Sequence, residues 1–240
     1  MITLYTMPGT AEIESLSPFC TKVEVYLEIQ SIPYRTKVGD PRKAPKGKMP
    51  FIVEGDAKIA DSSAILDYLE GKSEHPLDRG LDAASRARAH LLKRTLEESL
   101  YFALLWSRWA DDDGWAEMRP RVAAMVPAPL RWLLPGLIRR SVVASCVAQG
   151  IGRHSREEIY ALGGADIKAV AGVLGDRSYL VDDELRTIDI VAYAFLVNIL
   201  LWPKPSPLTE AVRALPKLEA YVKRVGALRK TTAASSTAPA

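Results

Sequence analysis

Cysteine is nearly absent from this chain. Cys20 and Cys146 are the only two in 240 residues and lie far apart, which excludes a disulfide framework and fits a reducing compartment. Histidine is almost as scarce, with three residues. His90 and His154 lack ligand-spaced partners, so no metal site is expected. No Ser/His/Asp arrangement with a supporting motif is present either. Long apolar runs are missing too. The most apolar stretch, Ile188 to Trp202, carries Asp189 and Asn198 and falls short of the roughly 20 residues of a membrane span. It reads as a buried core helix, and no membrane anchor is expected. The N-terminus has neither a basic n-region nor an apolar h-region, so no signal peptide is expected and the predicted location is cytoplasmic. A net charge of +3 is too small to imply a nucleic-acid partner.

What is present is the composition of a folded soluble protein, 48% hydrophobic and 25% charged, long enough for one large domain or two modest ones. Positive charge is uneven. Arg35, Lys37, Arg42, Lys43, Lys46 and Lys48 face one acid, Asp40. That run is either a solvated loop or a basic rim for a small anionic ligand.

The first 70 residues alternate strand and helix signals. Met1 to Thr6 is β-prone, and Met7 to Leu16 reads as a loop. From Pro18, apolar residues recur at Phe19, Val23, Tyr26 and Leu27, a helical stripe. Ser17 is its natural N-cap and Pro18 its first helical residue, where a missing N–H costs nothing. Ile32 to Val38 is a second strand. Phe51-Ile52-Val53 and Lys58-Ile59-Ala60 flank a turn at Glu54-Gly55-Asp56, and Asp61 or Ser62 caps a helix ending near Gly71. The order β-α-β, β-β-α is that of a thioredoxin-like unit, residues 1–73. Beyond a linker at Lys72 to Pro76 only helices are predicted, over 82–230. A long one spans Ala83 to Ala110. A proline-broken region covers Trp115 to Gln149, and short helices follow at Arg153 to Leu162 and around Ile167 to Leu174. Thr187 to Trp202 is buried, and Leu218 to Val225 marks the last. The Ala/Ser/Thr-rich tail, 231–240, is expected to be disordered. The fold class is therefore an α/β N-terminal domain joined to an all-α C-terminal domain.

Several motifs carry a family resemblance. They are Ser15-Leu16-Ser17-Pro18-Phe19-Cys20, Pro45-Lys46-Gly47-Lys48-Met49-Pro50-Phe51-Ile52, Ala60-Asp61-Ser62, Arg86-Ala87-Arg88-Ala89-His90, Leu96-Glu97-Glu98, Trp106-Ser107-Arg108-Trp109 and Gln149-Gly150-Ile151-Gly152-Arg153-His154. In this order they resemble the glutathione transferase superfamily, and within it the failed-axon-connections (Fax) and metaxin-like branch. The resemblance covers nearly the whole chain.

It implies glutathione as co-substrate and a cis bond at Met49-Pro50, with the backbone of Met49 pairing with the cysteinyl part. It also implies that Asp61 and Ser62 hold the γ-glutamyl carboxylate, that Lys48 reaches the glycyl end, and that Phe19 lies beside the thiol peptide. A helix N-terminus suits the carboxylate physically, since it offers free N–H groups and a positive dipole end. Ser17 falls where relatives place a Ser or Cys beside the sulfur, and a hydroxyl there stabilises the thiolate nucleophile. Because Ser17 is not a cysteine, the Ser17/Cys20 pair cannot cycle as a dithiol. Cys20, one turn inside the helix, reads as a small packed residue.

Tyr101, Phe102, Trp106 and Trp109 are candidates to line an acceptor pocket for a small apolar electrophile, with at most two facing ligand. Arg108 either pairs with an acid or lies on a solvated face. Two departures from the family pattern stand out. The residue three before Asp189 is Arg186 rather than Ser or Thr, with Thr187 one step late, which weakens the expected capping box. Pro127 to Arg140 looks longer than in compact members. It either covers the cleft, the favoured reading, or offers an apolar-basic face to a membrane or partner. The function expected is transfer of the glutathione thiolate to an electrophile. A non-catalytic Fax- or metaxin-like binding protein and a glutathione-dependent peroxidase or reductase are the alternatives. A homodimer is implied by the resemblance alone.

Overall fold

The computed structural model describes residues 1–229; the expected disordered tail lies outside them. Strands β1 (Ile2–Thr6), β2 (Tyr34–Val38), β3 (Phe51–Glu54) and β4 (Ala57–Ala60) form one sheet in the order β2-β1-β3-β4. β1 runs parallel to β2 and antiparallel to β3, which pairs with β4 through a tight turn. Gly55 sits in that turn at φ 57, a conformation glycine adopts without a Cβ penalty. Helices α1 (Pro18–Ile29) and α2 (Ser62–Lys72) complete the thioredoxin-like unit. Ile2 and Leu4 of β1, Ile52 of β3 and the α1 stripe of Val23, Tyr26 and Leu27 make its core.

The helical domain begins with α3 (Ala83–Arg94) and α4 (Tyr101–Trp109), joined without a break through a π-turn at Thr95–Leu100. The long helix predicted over Ala83 to Ala110 is thus real, with a widened turn inside it. Asp111 does more than end it. Its carboxylate accepts from the Asp113 N–H at 3.0 Å and caps α5 (Asp112–Ala124). A 3-10 turn at Ala128–Leu130 leads into α6 (Leu134–Gln149). Pro120 lies within α5, so the actual break falls later, at the second and third prolines of the run.

The two short helices expected between Arg153 and Leu174 are one, α7 (Arg156–Leu174). Gly163 within it fits close against α4. A Cβ there would lie 2.6 Å from Leu208 Cδ2 and 3.0 Å from Ala103 Cβ. The glycine serves helix packing and does not end the helix. α8 (Thr187–Leu200) is the buried centre, and α9 (Pro207–Arg213) and α10 (Pro216–Ala227) follow. α9 was not foreseen, because its seven residues lie among prolines.

The cap of α8 is built differently from the expected box. The Asp189 carboxylate accepts from the Leu180 and Arg186 N–H groups, both at 2.9 Å, and from the Tyr221 hydroxyl at 2.8 Å. Thr187 turns to Asp78 in the interdomain segment, donating its N–H at 3.0 Å and its hydroxyl at 2.6 Å. A residue outside the helix thus supplies the missing cap.

Candidate functional site

Ser17 stands at the junction of the β1–α1 loop and α1. Gly9 lets this loop close on itself, since a Cβ there would meet the Ile13 carbonyl at 2.1 Å. Leu16 N–H returns to the Pro8 carbonyl at 2.8 Å. Ser17 occupies the N-cap position with extended backbone, φ −107 and ψ 118, but its hydroxyl bonds no helix N–H. The expected side-chain cap is therefore absent, and the partly exposed Ser17 hydroxyl lies against the Cys20 thiol. Pro18 at N1 has no N–H to give. The Phe19 N–H is the first one free, because that of Cys20 bonds the Ser17 carbonyl at 3.0 Å. Cys20 is fully buried against the hydroxyls of Thr6, Ser15 and Ser17, and burial pushes its thiol above the usual range. It packs, as its position suggested, and cannot readily form a thiolate.

Met49-Pro50 is a cis peptide, as the resemblance implied. Among the described residues neither the Met49 N–H nor its carbonyl makes a hydrogen bond, which leaves a backbone pair open to an extended ligand. The Met49 side chain lies over Gly39, where a Cβ would sit 1.8 Å from its Cε. Asp61, at φ 85, accepts from the Ser63 and Ala64 N–H groups at 2.9 and 3.3 Å. That capping leaves Ser62 as the unspent member of the pair. Its hydroxyl and N–H have no partner among the described residues although the residue is buried. Lys48 is exposed at the rim.

Two buried cations flank this cradle. Lys22 of α1 has no exposed surface and forms an ion pair with Glu97 of the π-turn. Its Nζ also donates to Ser63 Oγ at 3.2 Å, beside Ser62. Burial lowers the Lys22 pKa, and Glu97 opposes that. Arg108 of α4 is the second. It pairs with no acid and is not solvated, contrary to both expectations. Its Nη1 donates to the Leu16 carbonyl at 2.7 Å and its Nη2 to the Asn198 carbonyl at 2.6 Å, while Nε is buried without a partner. The guanidinium stacks 4.2 Å over the Trp202 ring. Burial pulls its pKa down to about 9, so it stays charged near neutrality. Asn198 Nδ2 continues to Thr21 Oγ1 at 3.0 Å, which donates to the Ser17 carbonyl at 3.2 Å. Leu16 and Ser17 are thus held from both sides by one network that carries an unneutralised positive charge. The sequence signal for it was modest: Asn198 is a lone amide in the most apolar run, and Lys22 lies on a buried helical face.

The aromatic stripe of α4 does not form a single wall. Tyr101 meets Phe19 edge-on at 4.8 Å and Phe102 at 5.2 Å. Trp106 turns to Tyr160 of α7, and Trp109 lies against Trp115 at 5.8 Å. Trp109 belongs to a separate cluster in which Met118 and Val122 of α5 pack on Ile13 and Leu16. It is α5, rather than the segment from Pro127 to Arg140 favoured for that role, whose Met118 and Val122 pack on the loop that leads to Ser17; from that segment Ile138 alone joins the cluster. Phe19 contributes its N–H to the helix start, while its ring belongs to the aromatic cluster.

A four-stranded thioredoxin-like unit with a cis-proline before β3, docked on a helical domain, defines a glutathione transferase-like fold. Residues 18–114 match the model of the glutathione S-transferase N-terminal domain and residues 163–225 that of its C-terminal domain. The chain is 32% identical over 233 residues to isoprene-epoxide–glutathione S-transferase of Rhodococcus sp. (strain AD45), covering 94% of this chain and 98% of that one. It belongs to the glutathione S-transferase family, near the failed-axon-connections and metaxin branch. Failed axon connections of Drosophila melanogaster is 30% identical over 83% of this chain and half of its own length. Metaxin-2 of Mus musculus is 23% identical over 85% of this chain and 78% of its own length. The beta-etherase LigF of Sphingobium sp. strain SYK-6 shares the fold with a TM-score of 0.64 at 17% identity, covering 94% of this chain and 95% of that one.

Proposed function

We propose that this protein conjugates glutathione to a small, largely apolar electrophile. The observation that carries the reading is the Ser17 hydroxyl, free of capping duty at the start of α1 and backed by the buried charge of Arg108. Met49 presents its backbone to the cysteinyl part, Ser62 its N–H and hydroxyl to the γ-glutamyl carboxylate, and Lys48 its charge to the glycyl carboxylate. Ser17 Oγ and the Phe19 N–H donate to the sulfur, which lowers the thiol pKa. Against an epoxide, the thiolate forms a C–S bond as the C–O bond breaks, and the alkoxide takes a proton from water. An isoprene-epoxide transferase among the relatives makes an epoxide the first probe to use.

Titration calorimetry with millimolar glutathione tests the cradle, and turnover of a small epoxide tests the chemistry. Ser17→Ala should retain binding and lose about 100- to 1,000-fold in kcat. Absence of glutathione binding overturns the reading. A second reading, a non-catalytic binding protein, is favoured by the packing of Tyr101, Phe102, Trp106 and Trp109 against other aromatic rings. Binding without turnover on a panel of electrophiles assigns that one.

A further inference from the structure

From Met118 to Arg156 the chain has no Asp, Glu or Lys but seven arginines. The other basic run, Arg35 to Lys48, keeps one acid, Asp40, and mixes lysine with arginine, whereas this stretch has no acid and arginine as its sole fixed cation. Arg121, Arg139 and Arg156 are neutralised by Glu117, Asp112 and Asp111. Arg119, Arg131, Arg140 and Arg153 have no ion pair among the described residues. The same stretch carries the densest group of exposed apolar side chains. Trp132 is 76% exposed, and Met125, Leu130, Leu133 and Leu137 between 43% and 47%. They stand on the turn between α5 and α6 and on the first turn of α6.

Behind them a groove of about 640 Å³ runs along α6, walled by Trp115, Trp132, Val143 and Val147 and rimmed by Arg119 and Arg140, with no acid in its lining. None of Ser17, Met49 or Ser62 lines it, so it is separate from the thiol-peptide cradle. The inner face of the hairpin is occupied by the Ile13 and Leu16 loop. The outer face is uncovered among the described residues.

We propose that the outer face of the α5–α6 hairpin docks on an anionic lipid surface. Trp132, Leu130, Leu133 and Leu137 enter the interface, and Arg119, Arg131 and Arg140 meet lipid phosphates. A tryptophan and leucines beside unpaired guanidiniums are the chemistry of an interfacial segment. An acidic helical peptide seated in the groove is the competing occupant. It would leave Met125, Leu130, Leu133 and Leu137 outside the groove in water, whereas a bilayer surface covers them together with the groove mouth. The proposal is independent of turnover at Ser17.

The test is co-sedimentation of the full chain with phosphatidylcholine vesicles, with and without phosphatidylglycerol. The protein should pellet with the anionic vesicles, remain free with the neutral ones, and be released by high salt. Trp132→Ala and the pair Arg119→Gln/Arg140→Gln should each weaken binding about 10-fold or more. Lys37→Gln/Lys168→Gln, which removes two exposed charges elsewhere, should leave it unchanged. Brominated acyl chains should quench tryptophan emission in the parent and much less in Trp132→Ala. Circular dichroism and melting confirm that the variants are folded. No binding to anionic vesicles overturns the proposal. So does equal weakening by the Lys37/Lys168 control, or self-association that buries Trp132 against a second copy.

Discussion

Arg108 is charged, fully enclosed and opposed by no carboxylate, an arrangement that costs stability and is offset by its bonds to the Leu16 and Asn198 carbonyls and its stack on Trp202. Its bond to the Leu16 carbonyl places its positive field one residue from Ser17. Arg108→Gln should raise the apparent pKa of the bound glutathione thiol by about one unit, read from thiolate absorbance and the pH dependence of kcat/KM. Arg108→Lys should recover most of it. A uniform loss of rate with no shift in the profile would reduce Arg108 to a brace. Glu24 allows a separate test. Burial, with Glu14 and Glu28 nearby, pushes its carboxyl up to about 7. The folded state then holds the proton more tightly than the unfolded chain, so stability is greatest below the ordinary value of 4.5 and falls as pH rises through 7. Glu24→Gln should melt about 5 °C above the parent at pH 8, and the difference should close at acid pH in calorimetric scans. In sequence, Ser17, Met49-Pro50 and Asp61-Ser62 were legible because each is a local motif. Arg108 was not, since burial and the lack of an acid partner arise only when α4, α8 and the β1–α1 loop meet.

Among the elements, the π-turn at Thr95–Leu100 and the α5–α6 hairpin were hidden from periodicity for different reasons. The π-turn changes the helix by a fraction of a turn, too little to disturb a 3.6-residue pattern, yet it contains the Glu97 that meets Lys22. The hairpin was blurred by four prolines, of which Pro120 lies inside a helix and Pro135 within the first turn of one. By contrast, the four strands and α1, α2 and α8 were clear, because alternation or a continuous apolar stripe marks each. The hairpin's seat depends on Gly114, where a Cβ would lie 1.8 Å from the Ser107 carbonyl. Gly114→Ala should therefore destabilise the protein by about 3 kcal/mol in denaturant melts. It should also expose the Ile13–Leu16 loop to limited proteolysis. A variant as stable as the parent would mean that α5 is free to shift away from α4.

Across the whole molecule, the Lys22–Glu97 pair fastens α1 of one domain to the widened helix of the other. Removing one partner strands a buried charge, so Lys22→Met should cost about 3–5 kcal/mol in chemical denaturation. Lys22→Met/Glu97→Leu should recover most of that loss, and a double variant no better than the single would show that the pair's neighbours, not the stranded charge, set the cost. The order of domains was plain from the change in composition near Lys72, where α2 ends, with α3 beginning at Ala83. Leu77 to Arg79, just past the expected linker at Lys72 to Pro76, belong to both sides. Glu70 of α2 accepts from the Leu77 and Asp78 N–H groups, each at 3.0 Å, while Asp78 caps α8 and Arg186 donates to the carbonyls of Leu77 and Arg79. A gene split at that segment would therefore not yield two autonomous halves. A fragment starting at Ala83 lacks the carboxylate that begins its own central helix, and one ending at Ser73 leaves Glu70 with no amides to receive. The two halves are structurally interdependent, and grafting either onto another partner requires carrying Asp78 with α8.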